Sequence, residues 1–322
     1  MQQAGSLSVI ISNYNHAQYI TNALEAILSQ SYRPLEVIII DDASVDNSVE
    51  VIQQFVERDP RVRLIRNERN MGNIYNVNKF IQFTQGDYIY AAASDDMVLP
   101  GFFEKSMSLL EQYPQAGLCS TDCFLLIENT GEMIIDKMPC FNEQRYVSPG
   151  EFVKYMQMRF HPPIAFGSVV IKRAALIKAG GFIPELKWSA DLFAVLVIAF
   201  RYGICYIPEP LMIFRIREDS FSSGYRQWPQ QRRVMLNMIK LVETPAYQDV
   251  RSYFRQTSHF SYLPWQVLRV VLGNPQYWSY LSSTLLRFTL WPKIKMPLAK
   301  IAPLPIKHIY RHIHNKYWEV QG

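Results

Sequence analysis

The chain has 322 residues, 49% of them hydrophobic, which is enough for one large or two small domains with a substantial core. The net charge is +5, and the longest apolar run, from Leu192 to Phe200, is far below the roughly 20 residues that a bilayer requires. The first residues lack a basic region followed by an apolar core, so we expect a cytoplasmic protein with neither a signal peptide nor a membrane span.

Strands and helices are predicted to alternate along the first hundred residues. Short β-branched runs typical of buried strands are separated by segments that carry apolar residues at helical spacing. The predicted strands are Leu7 to Ile11, Leu35 to Ile40, Arg61 to Ile65 and the run that begins at Gly86, and the predicted helices are Thr21 to Gln30, Val49 to Val56 and Ile74 to Thr84. This alternation predicts a mainly parallel sheet with helices on both faces.

The alternation becomes less regular after residue 96. Helices are expected at Met97 to Tyr113, Arg173 to Ala179 and Leu192 to Phe200, and strands at Gly117 to Ile127, Ile164 to Ile171, Ile204 to Ile207 and Leu211 to Arg215. The region from Tyr225 is predicted to be helical, basic and rich in aromatic residues.

Polar residues follow three of the predicted strands: Asn13-Tyr14-Asn15, Asp41-Asp42 and Ser94-Asp95-Asp96. The carboxyl ends of parallel strands share one edge of a sheet, which is where such sheets bind ligands. Adjacent carboxylates at the end of a buried strand raise each other's pKa, and a divalent cation removes that cost. We therefore predict a metal-diphosphate site at this edge. The alternative is a solvated loop in which Asp95 only caps the next helix.

No phosphate-binding glycine loop follows the first strand, neither a dinucleotide fingerprint nor a GxxxxGK loop. A nicotinamide-dependent dehydrogenase and a P-loop enzyme are therefore disfavoured. Side chains and a metal would have to hold any nucleotide.

Five segments stand out by their order and spacing along the chain. The segments are Ser8 to Asn15, Val37 to Asp46, Asn70-Met71-Gly72 with Gly86 to Ile89, Ser94-Asp95-Asp96, and Gly180-Gly181-Phe182 with Asp191 and Gly203. Each segment alone is weak, but together they resemble the inverting family 2 glycosyltransferases, which have the GT-A fold. The resemblance covers roughly residues 7 to 223.

The resemblance implies an enzyme that moves a sugar from a nucleotide-diphosphate sugar to a hydroxyl of a glycan or lipid-linked acceptor, in surface polysaccharide synthesis. Asp191 would be the general base, and Asp96 would ligate Mg²⁺ or Mn²⁺, with Asp95 on the metal or the ribose. The remaining implied donor contacts are Ser12, Asn13, Tyr14 and Asn15, which would pass the nucleotide base, and Asp41 or Asp42, which would hydrogen-bond the base or ribose.

Three positions depart from the family pattern. Ala93 stands where many members have a first acid, Val77 stands where an arginine precedes Asn78, and Ala190 replaces the acid before Asp191. These changes favour the alternative of a non-catalytic sugar-nucleotide-binding or assembly protein that keeps the fold, whereas the four retained aspartates favour an enzyme. A nucleotidyltransferase would need a glycine-rich basic loop after the first strand, which is lacking.

Several residues near these motifs have two interpretations. Asp191 precedes an apolar helix and Asp is a preferred N-cap residue, so capping alone would also explain it. Trp188 would stack on a sugar or belong to the core, and His161 would reach the acceptor or only order its loop. Arg215 and Arg217 would approach the diphosphate or lie on the surface.

Charge divides the chain into two predicted domains, residues 1–224 and 225–322. From Tyr225 onward fourteen Lys and Arg stand against three Asp and Glu, a net charge of +11, which leaves about −6 for the first part. A basic, aromatic-rich helical region suits an anionic membrane surface, which predicts peripheral association with the inner face of the cell membrane. Packing on the first domain or a homodimer contact is the alternative. Nothing upstream resembles a nucleic-acid module, so we expect no nucleic-acid partner.

Overall fold

The computed structural model describes residues 5–136, 141–158, 164, 167–217, 227–261 and 264–289. Its strands are β1 Leu7–Asn13, β2 Glu36–Asp41, β3 Val62–Arg66, β4 Tyr88–Ala93, β5 Met97–Val98, β6 Leu118–Ile127, β7 Glu132–Asp136, β8 Arg145–Val147, β9 Val169–Lys172 and β10 Ile204–Ile216. Its α-helices are α1 Ala17–Leu28, α2 Ser48–Arg58, α3 Asn73–Ile81, α4 Phe102–Gln112, α5 Pro149–Met158, α6 Arg173–Lys178, α7 Ala190–Tyr202, α8 Trp228–Val242, α9 Arg251–Thr257 and α10 Pro264–Leu272.

A mixed sheet with the strand order β3-β2-β1-β4-β9-β6-β10-β5 runs through the molecule. β1 pairs in parallel with β2 and β4, β2 pairs in parallel with β3, and β9 is antiparallel to both β4 and β6. The register places Asn13 beside Asp41 and Ser12 beside Ala93, so the ends of these three strands are level. This confirms the predicted mixed, mainly parallel sheet and brings the polar strand ends to one edge.

The alternation of side chains along β1 and β2 creates two apolar layers. Val9 and Ile11 pack with α1, α2 and α4 on one face, whereas Ile10 packs with α3, α5 and α7 on the other. These residues are fully buried, and each such side chain contributes roughly 1.5–3 kcal/mol relative to exposure. Because helices cover both faces of the sheet, β1 and β2 have continuous apolar sequences rather than alternating apolar and polar residues.

Almost every residue of α7 is apolar, as expected for a helix that other elements cover on all sides. It packs between the sheet and helices from the C-terminal region, where Phe193 stacks on Phe254 with ring centroids 5.8 Å apart and Phe200 meets Tyr253 at 5.5 Å. α8, α9 and α10 contribute to the same hydrophobic cluster as α7. The division of the chain near residue 224 stays a prediction.

Four predicted elements differ from the structure. The helix expected from Met97 begins at Phe102, because Gly101 has a left-handed φ of 88° and β5 pairs with β10 before it. Of the strand expected from Ile164 to Ile171, the structure shows Val169–Lys172 as β9, and residues 165–166 lie outside the described residues. The two strands expected around Pro208 are one strand, β10, which accommodates its prolines through register shifts at Pro210.

Within the described part of the chain, each helix is too short or too polar to cross a membrane.

Candidate active site

The ends of β1 and β2 are joined by buried side chains. Asn13 donates from Nδ2 to Asp41 Oδ1 over 3.1 Å, and the Ser44 N–H donates to Asp41 Oδ2 over 3.0 Å. Asp41 is fully buried and holds the turn that follows β2. Asn13 Oδ1 is buried and has no hydrogen-bond donor among the residues that the structure describes. A buried acceptor without a donor requires an explanation, and a bound ligand or water is one.

Asp42 binds the loop that follows β3. Its Oδ1 accepts hydrogen bonds from Asn67 Nδ2 and the Met71 N–H, both over 2.8 Å, and its Oδ2 accepts from the Gly72 N–H over 2.8 Å. Gly72 has a φ of 87°, which a residue with a Cβ rarely adopts. The Asp42 carboxylate thus fixes the loop that leads into α3.

Two asparagines that the sequence interpretation missed connect this loop to β1. Asn67 donates from Nδ2 to Asn76 Oδ1 over 2.7 Å, and Asn76 donates from Nδ2 to Ser12 Oγ over 3.0 Å. Asn76 is fully buried although it lies on a helix, and a polar residue on the buried face of an amphipathic helix is the signal that would have revealed it. Ser12, Asn76, Asn67 and Asp42 therefore form one network across the strand ends.

The loops after β1 and β2 are hydrogen-bonded to each other in strained conformations. The Asn15 N–H donates to Ser44 Oγ over 3.0 Å, and the Val45 N–H donates to Asn15 Oδ1 over 2.8 Å. Asn15 and Ala43 have φ values of 53° and 63°, in the left-handed region that costs non-glycine residues energy. Tyr14 lies at the solvent rim beside them.

Asp95 and Asp96 directly follow β4 at the same edge. The Arg215 N–H donates to Asp96 Oδ1 over 2.8 Å, and Arg217 Nη1 lies 3.5 Å from Asp95 Oδ2. Burial raises the pKa of Asp96 well above its usual range and the Asp95 charge raises it further, against the Arg215 N–H and the charges of Arg215 and Arg217. Asp96 is thus a carboxylate whose charge is costly in the absence of a further cation.

Both arginines lie against an aromatic ring next to these acids. The guanidinium carbons of Arg215 and Arg217 are 4.8 and 5.2 Å from the centre of the Tyr19 ring. Tyr19 donates to Glu128, whose carboxylate lies 3.7 Å from Arg215 Nη1. The arginines are therefore ordered beside the acidic pair rather than free on the surface.

The loop after β4 is also tied to the loop after β1, because His16 Nδ1 and Ser94 Oγ are 2.7 Å apart. Together with the Asn15–Ser44 and Asp96–Arg215 contacts, this brings the ends of β1, β2, β4 and β10 into one site. The tertiary structure therefore brings together the three polar strand ends that the sequence singled out.

The acidic pair fits a hard divalent cation that shares its ligands with a substrate. Asp95 and Asp96 supply carboxylate oxygens, one of them on a buried side chain with a raised pKa. Among the described residues no three His, Cys, Asp or Glu side chains converge as a self-sufficient metal cage. Mg²⁺ is commonly held by one or two carboxylates together with substrate phosphates and water, which matches this donor set.

Asp191 lies at the same edge of the sheet as the acidic pair. α7 ends at Tyr202, and β10 begins two residues later at the opposite edge, so the start of α7 points to the carboxyl ends of β4, β6 and β10. The N-cap residue of α7 is Ser189, and Asp191 lies in its first turn. Asp191 therefore lies inside the helix rather than at the N-cap position, although its Oδ1 accepts a hydrogen bond from the Leu192 N–H of the first turn.

The carboxyl group of Asp191 has a perturbed acidity. Desolvation raises its pKa to about 6, and the Leu192 N–H, which donates to Oδ1 over 2.6 Å, acts in the opposite direction. Asp191 is nevertheless exposed at one side, so its carboxyl group can exchange a proton with solvent or with a bound hydroxyl. A carboxylate of this kind can take up a proton near neutral pH.

The segment that leads to Asp191 is held by α3. Asn78 accepts from the Phe182 N–H over 2.9 Å and donates to the Phe182 carbonyl. A Cβ on Gly181 would lie 2.8 Å from Asn78 Oδ1, and its φ of 68° also favours glycine. The Gly-Gly-Phe segment is thus a positioning element for the residues before α7.

Trp188 and Lys187 lie between that segment and Asp191. The Trp188 ring is partly buried against the larger core, and its Nε1 has no acceptor among the described residues. Lys187 has a left-handed φ of 48° and lies over the Trp188 ring at 5.9 Å. His161 lies outside the described residues.

The three departures from the family pattern differ in their surroundings. Ala93 is exposed at the end of β4, where an acid would face solvent. Val77 and Ala190 are 4% and 2% exposed, so each is part of the core and its position offers a charged side chain no contact with solvent. None of the three departures therefore leaves room for a further acid beside Asp95, Asp96 and Asp191, except at the exposed position of Ala93.

Comparison with known proteins agrees with this architecture. Residues 8–124 match the family model described as Glycosyl transferase family 2. The chain is 27% identical over 225 residues to the putative glycosyltransferase EpsE of Bacillus subtilis, covering 68% of this chain and 76% of EpsE.

Two solved structures share the fold. TarS residues 1–349 from S. aureus, in complex with UDP-GlcNAc, have a TM-score of 0.61 and 17% identity over 88% of this chain and 81% of that one. The mannosyltransferase PcManGT from Pyrobaculum calidifontis, in complex with GDP-Man and Mn²⁺, has a TM-score of 0.54 and 16% identity over 98% and 88%.

Proposed function

Because the chain is a family 2 glycosyltransferase, an enzyme with a GT-A-type fold, we propose that it transfers one sugar from a nucleotide-diphosphate sugar to an acceptor hydroxyl with inversion at the anomeric carbon. The observation that carries this proposal is the acidic pair after β4, in which Asp96 is buried and Asp95 lies beside Arg217, at the same sheet edge as Asp191. A single displacement requires a group that stabilises the leaving diphosphate and a base for the acceptor hydroxyl. The acidic pair, through a bound cation, and Asp191 would fill these two roles.

The donor would lie across the ends of β1, β2 and β4. Asn13, Tyr14, Asn15 and the preceding Ser12 line the first loop, where the nucleotide base is expected to pass. Asp41 and Asp42 are already engaged with the turn after β2 and with the loop at Gly72, so we propose that their main contribution is to hold those loops against the base and ribose. The buried Asn13 Oδ1 is an acceptor available to a bound group.

Asp95 and Asp96 would hold Mg²⁺ or Mn²⁺ on the donor diphosphate, with Asp95 also within the region of the ribose. The bound cation would supply Lewis-acid stabilisation of the departing nucleoside diphosphate. Arg217, next to Asp95, would add a positive charge on the same side. PcManGT binds Mn²⁺ with its donor, which supports this assignment by analogy of fold.

Asp191 would accept the proton of the acceptor hydroxyl as its oxygen attacks the anomeric carbon. The new carbon–oxygen bond forms on the face opposite the bond that breaks, so the electron pair of the broken bond leaves with the nucleoside diphosphate. A single base and a single displacement give inversion. The raised pKa of Asp191 suits a base that must hold a proton transiently near neutral pH.

We also propose a glycan or lipid-linked acceptor in surface polysaccharide synthesis, on the strength of the family resemblance. The predicted membrane association of the C-terminal region stays a prediction, and residues 290–322 of that region lie outside the described residues.

A panel of nucleotide sugars tests the proposal by thermal shift, with and without Mn²⁺, followed by donor hydrolysis. We expect one uridine or guanosine diphosphate sugar to raise the unfolding temperature only when Mn²⁺ is present, and the same donor to be hydrolysed slowly. If no donor stabilises the protein, or if binding occurs without any hydrolysis or transfer, the catalytic proposal is wrong and a binding or assembly role replaces it.

A further inference from the structure

Two arginines near the end of β10 lie against the same ring but pair with different acids. Arg215 Nη1 lies 3.7 Å from Glu128 Oε1, and Arg217 Nη1 lies 3.5 Å from Asp95 Oδ2. The side chains of Arg217 and Asp95 are 10% and 15% exposed, so solvent screens this pair much less than an ion pair on the surface. The acid that compensates Arg217 is therefore one of the two proposed cation ligands.

Arg215 does not depend on the acidic pair for its counter-charge, because Glu128 supplies it. Its main chain and Nε also hold it in place, since its N–H donates to Asp96 Oδ1 over 2.8 Å and its Nε donates to the Asp95 carbonyl over 3.2 Å. Among the described residues, the acid that pairs with Arg217 is Asp95. The two arginines thus have different surroundings, and Arg217 is the one whose partner a bound cation would engage.

The Tyr19 ring supports Arg217 from the side of α1. The guanidinium carbon of Arg217 lies 5.2 Å from the centre of this ring, and the Tyr19 hydroxyl is itself fixed because it donates to Glu128. The 3.5 Å between Arg217 and Asp95 is longer than the roughly 2.7–2.9 Å of a charge-assisted hydrogen bond. A guanidinium group held in this way keeps its support when its anionic partner changes.

A divalent cation on Asp95 would compete with Arg217 for one carboxylate. Two positive groups a few ångströms apart repel each other strongly where little water separates them. The donor diphosphate brings negative oxygens to the same place, and the planar N–H donors of a guanidinium group match phosphate oxygens. The leaving nucleoside diphosphate gains negative charge as its bond to the anomeric carbon breaks, so a guanidinium group beside it stabilises the transition state more than the bound donor.

We propose that Arg217 neutralises Asp95 in the empty protein and passes to the donor diphosphate when the cation binds, with the Tyr19 ring positioning it in both states. This inference rests on the proposed transferase function and specifies how its charges are exchanged. The exchange couples the two ligands, because the cation displaces Arg217 from Asp95 and the diphosphate accepts it. Each ligand therefore raises the affinity for the other.

Binding of Mn²⁺ alone and of a nucleoside diphosphate to the full chain tests the proposal. The affinity for Mn²⁺ is measured from the electron paramagnetic resonance signal of the free ion, and the affinities for UDP and GDP are measured by calorimetry at saturating Mn²⁺. The test variant is Arg217→Gln. The matched control is Arg58→Gln, which removes the same charge from an exposed residue at the end of α2.

We expect the two affinities of Arg217→Gln to change in opposite directions. Mn²⁺ alone should bind about threefold or more tightly, because a competing positive charge is removed, and the diphosphate should bind about tenfold or more weakly. A residue with only a structural role would change both affinities in the same direction. The control should stay within about twofold of the wild type in both, because solvent screens an exposed charge.

Variants of Tyr19 test the positioning role separately. Tyr19→Leu keeps both arginines but removes the ring, so it should weaken diphosphate binding at saturating Mn²⁺, and Tyr19→Phe, which keeps the ring, should restore it. Equal loss in both variants would show that the ring does not position Arg217, and the proposal would then be wrong.

Mn²⁺ binding by Arg217→Gln that is unchanged or weaker, or diphosphate binding that is undiminished, overturns the proposal and leaves the transferase function standing. A wild-type chain that binds neither UDP nor GDP with Mn²⁺ overturns the transferase proposal and this one together. Circular dichroism checks that each variant is folded. If Arg217→Gln is not, Arg217→Met replaces it, because methionine keeps an apolar contact with the Tyr19 ring and also lacks the charge.

Discussion

Replacing Asp96 with asparagine should stabilise the metal-free protein while it abolishes metal-dependent donor binding. The carboxylate is buried, it lies next to the charge of Asp95, and its pKa is raised well above its usual range, so the charged form opposes folding near neutral pH. Asparagine has nearly the same shape and keeps an oxygen for the Arg215 N–H, which donates over 2.8 Å. It lacks the charge that a divalent cation requires.

Relief of such functional-site strain is typically worth about 0.5–2 kcal/mol. An unfolding entropy of about 2.1 cal/mol/K per residue amounts to roughly 0.7 kcal/mol/K for the 322 residues, so the unfolding temperature should rise by about 1–3 °C. A donor and Mn²⁺ at a hundred times their dissociation constant should add about 2.7 kcal/mol to the wild-type protein, or about 4 °C, and should add nothing to Asp96→Asn.

Asp87 provides a control of opposite sign at the other end of β4. Its Oδ2 accepts from the Ser6 N–H and from Ser6 Oγ, both over 3.0 Å, and these bonds lower its pKa. Its charged form therefore contributes stability that is present above the ordinary pKa of 3.8 and is lost as the pH falls. Because Asp87 is exposed and asparagine keeps an acceptor oxygen for Ser6, Asp87→Asn should lose no more than about 1 kcal/mol and should keep the full response to donor and Mn²⁺.

Differential scanning calorimetry of the three proteins at pH 7, with and without donor and Mn²⁺, measures both effects. A lower unfolding temperature for metal-free Asp96→Asn would show that the buried charge is compensated within the protein. A retained response of that variant to Mn²⁺ would show that another residue holds the cation. Either outcome refutes the reasoning for this pair of acids.

Three further changes test the rest of the site. Asp191→Asn should fold and bind the donor as the wild type does but should transfer the sugar 10²–10⁴-fold more slowly, and near-normal turnover would disprove the role of Asp191 as a base. The transfer rate of the wild type should rise as the pH increases through about 6, because the base must be deprotonated. Gly181→Ala should lose about 1–3 kcal/mol in urea unfolding, since its φ is 68° and its Cβ would meet Asn78 Oδ1; an unchanged midpoint would contradict this. Ala43→Gly should gain about 0.5–1 kcal/mol in the same measurement by removing left-handed strain, and a loss would count against it.

The sequence motifs predicted where the aspartates at the ends of β2 and β4 lie better than what each aspartate contacts. Asp41, Asp42, Asp95 and Asp96 lie at or just after the ends of strands whose apolar runs can be recognised locally, so their common edge could be predicted. The sequence did not reveal that Asp42 would be bound by the Gly72 loop. That contact depends on how a loop folds back on a strand, which no local pattern records.

Residues far apart in the chain needed the tertiary structure. Arg215 donates to Asp96 across 119 positions, and this contact exists only because β5 and the strand that carries Arg215 are neighbours in the sheet. The N-cap of α7 shows the same limit at short range, because the N-cap residue is Ser189, whereas the sequence interpretation considered only Asp191 for that position.

The sequence alone determined the alternating elements, the mainly parallel sheet and the edge that carries the site, because burial imposes a periodicity that neighbouring residues record. Only the tertiary structure decided which side chains meet at that edge, such as the Arg215 N–H and Asp96. Such contacts follow from strand register and helix packing between segments a hundred or more residues apart, and local sequence patterns do not record them.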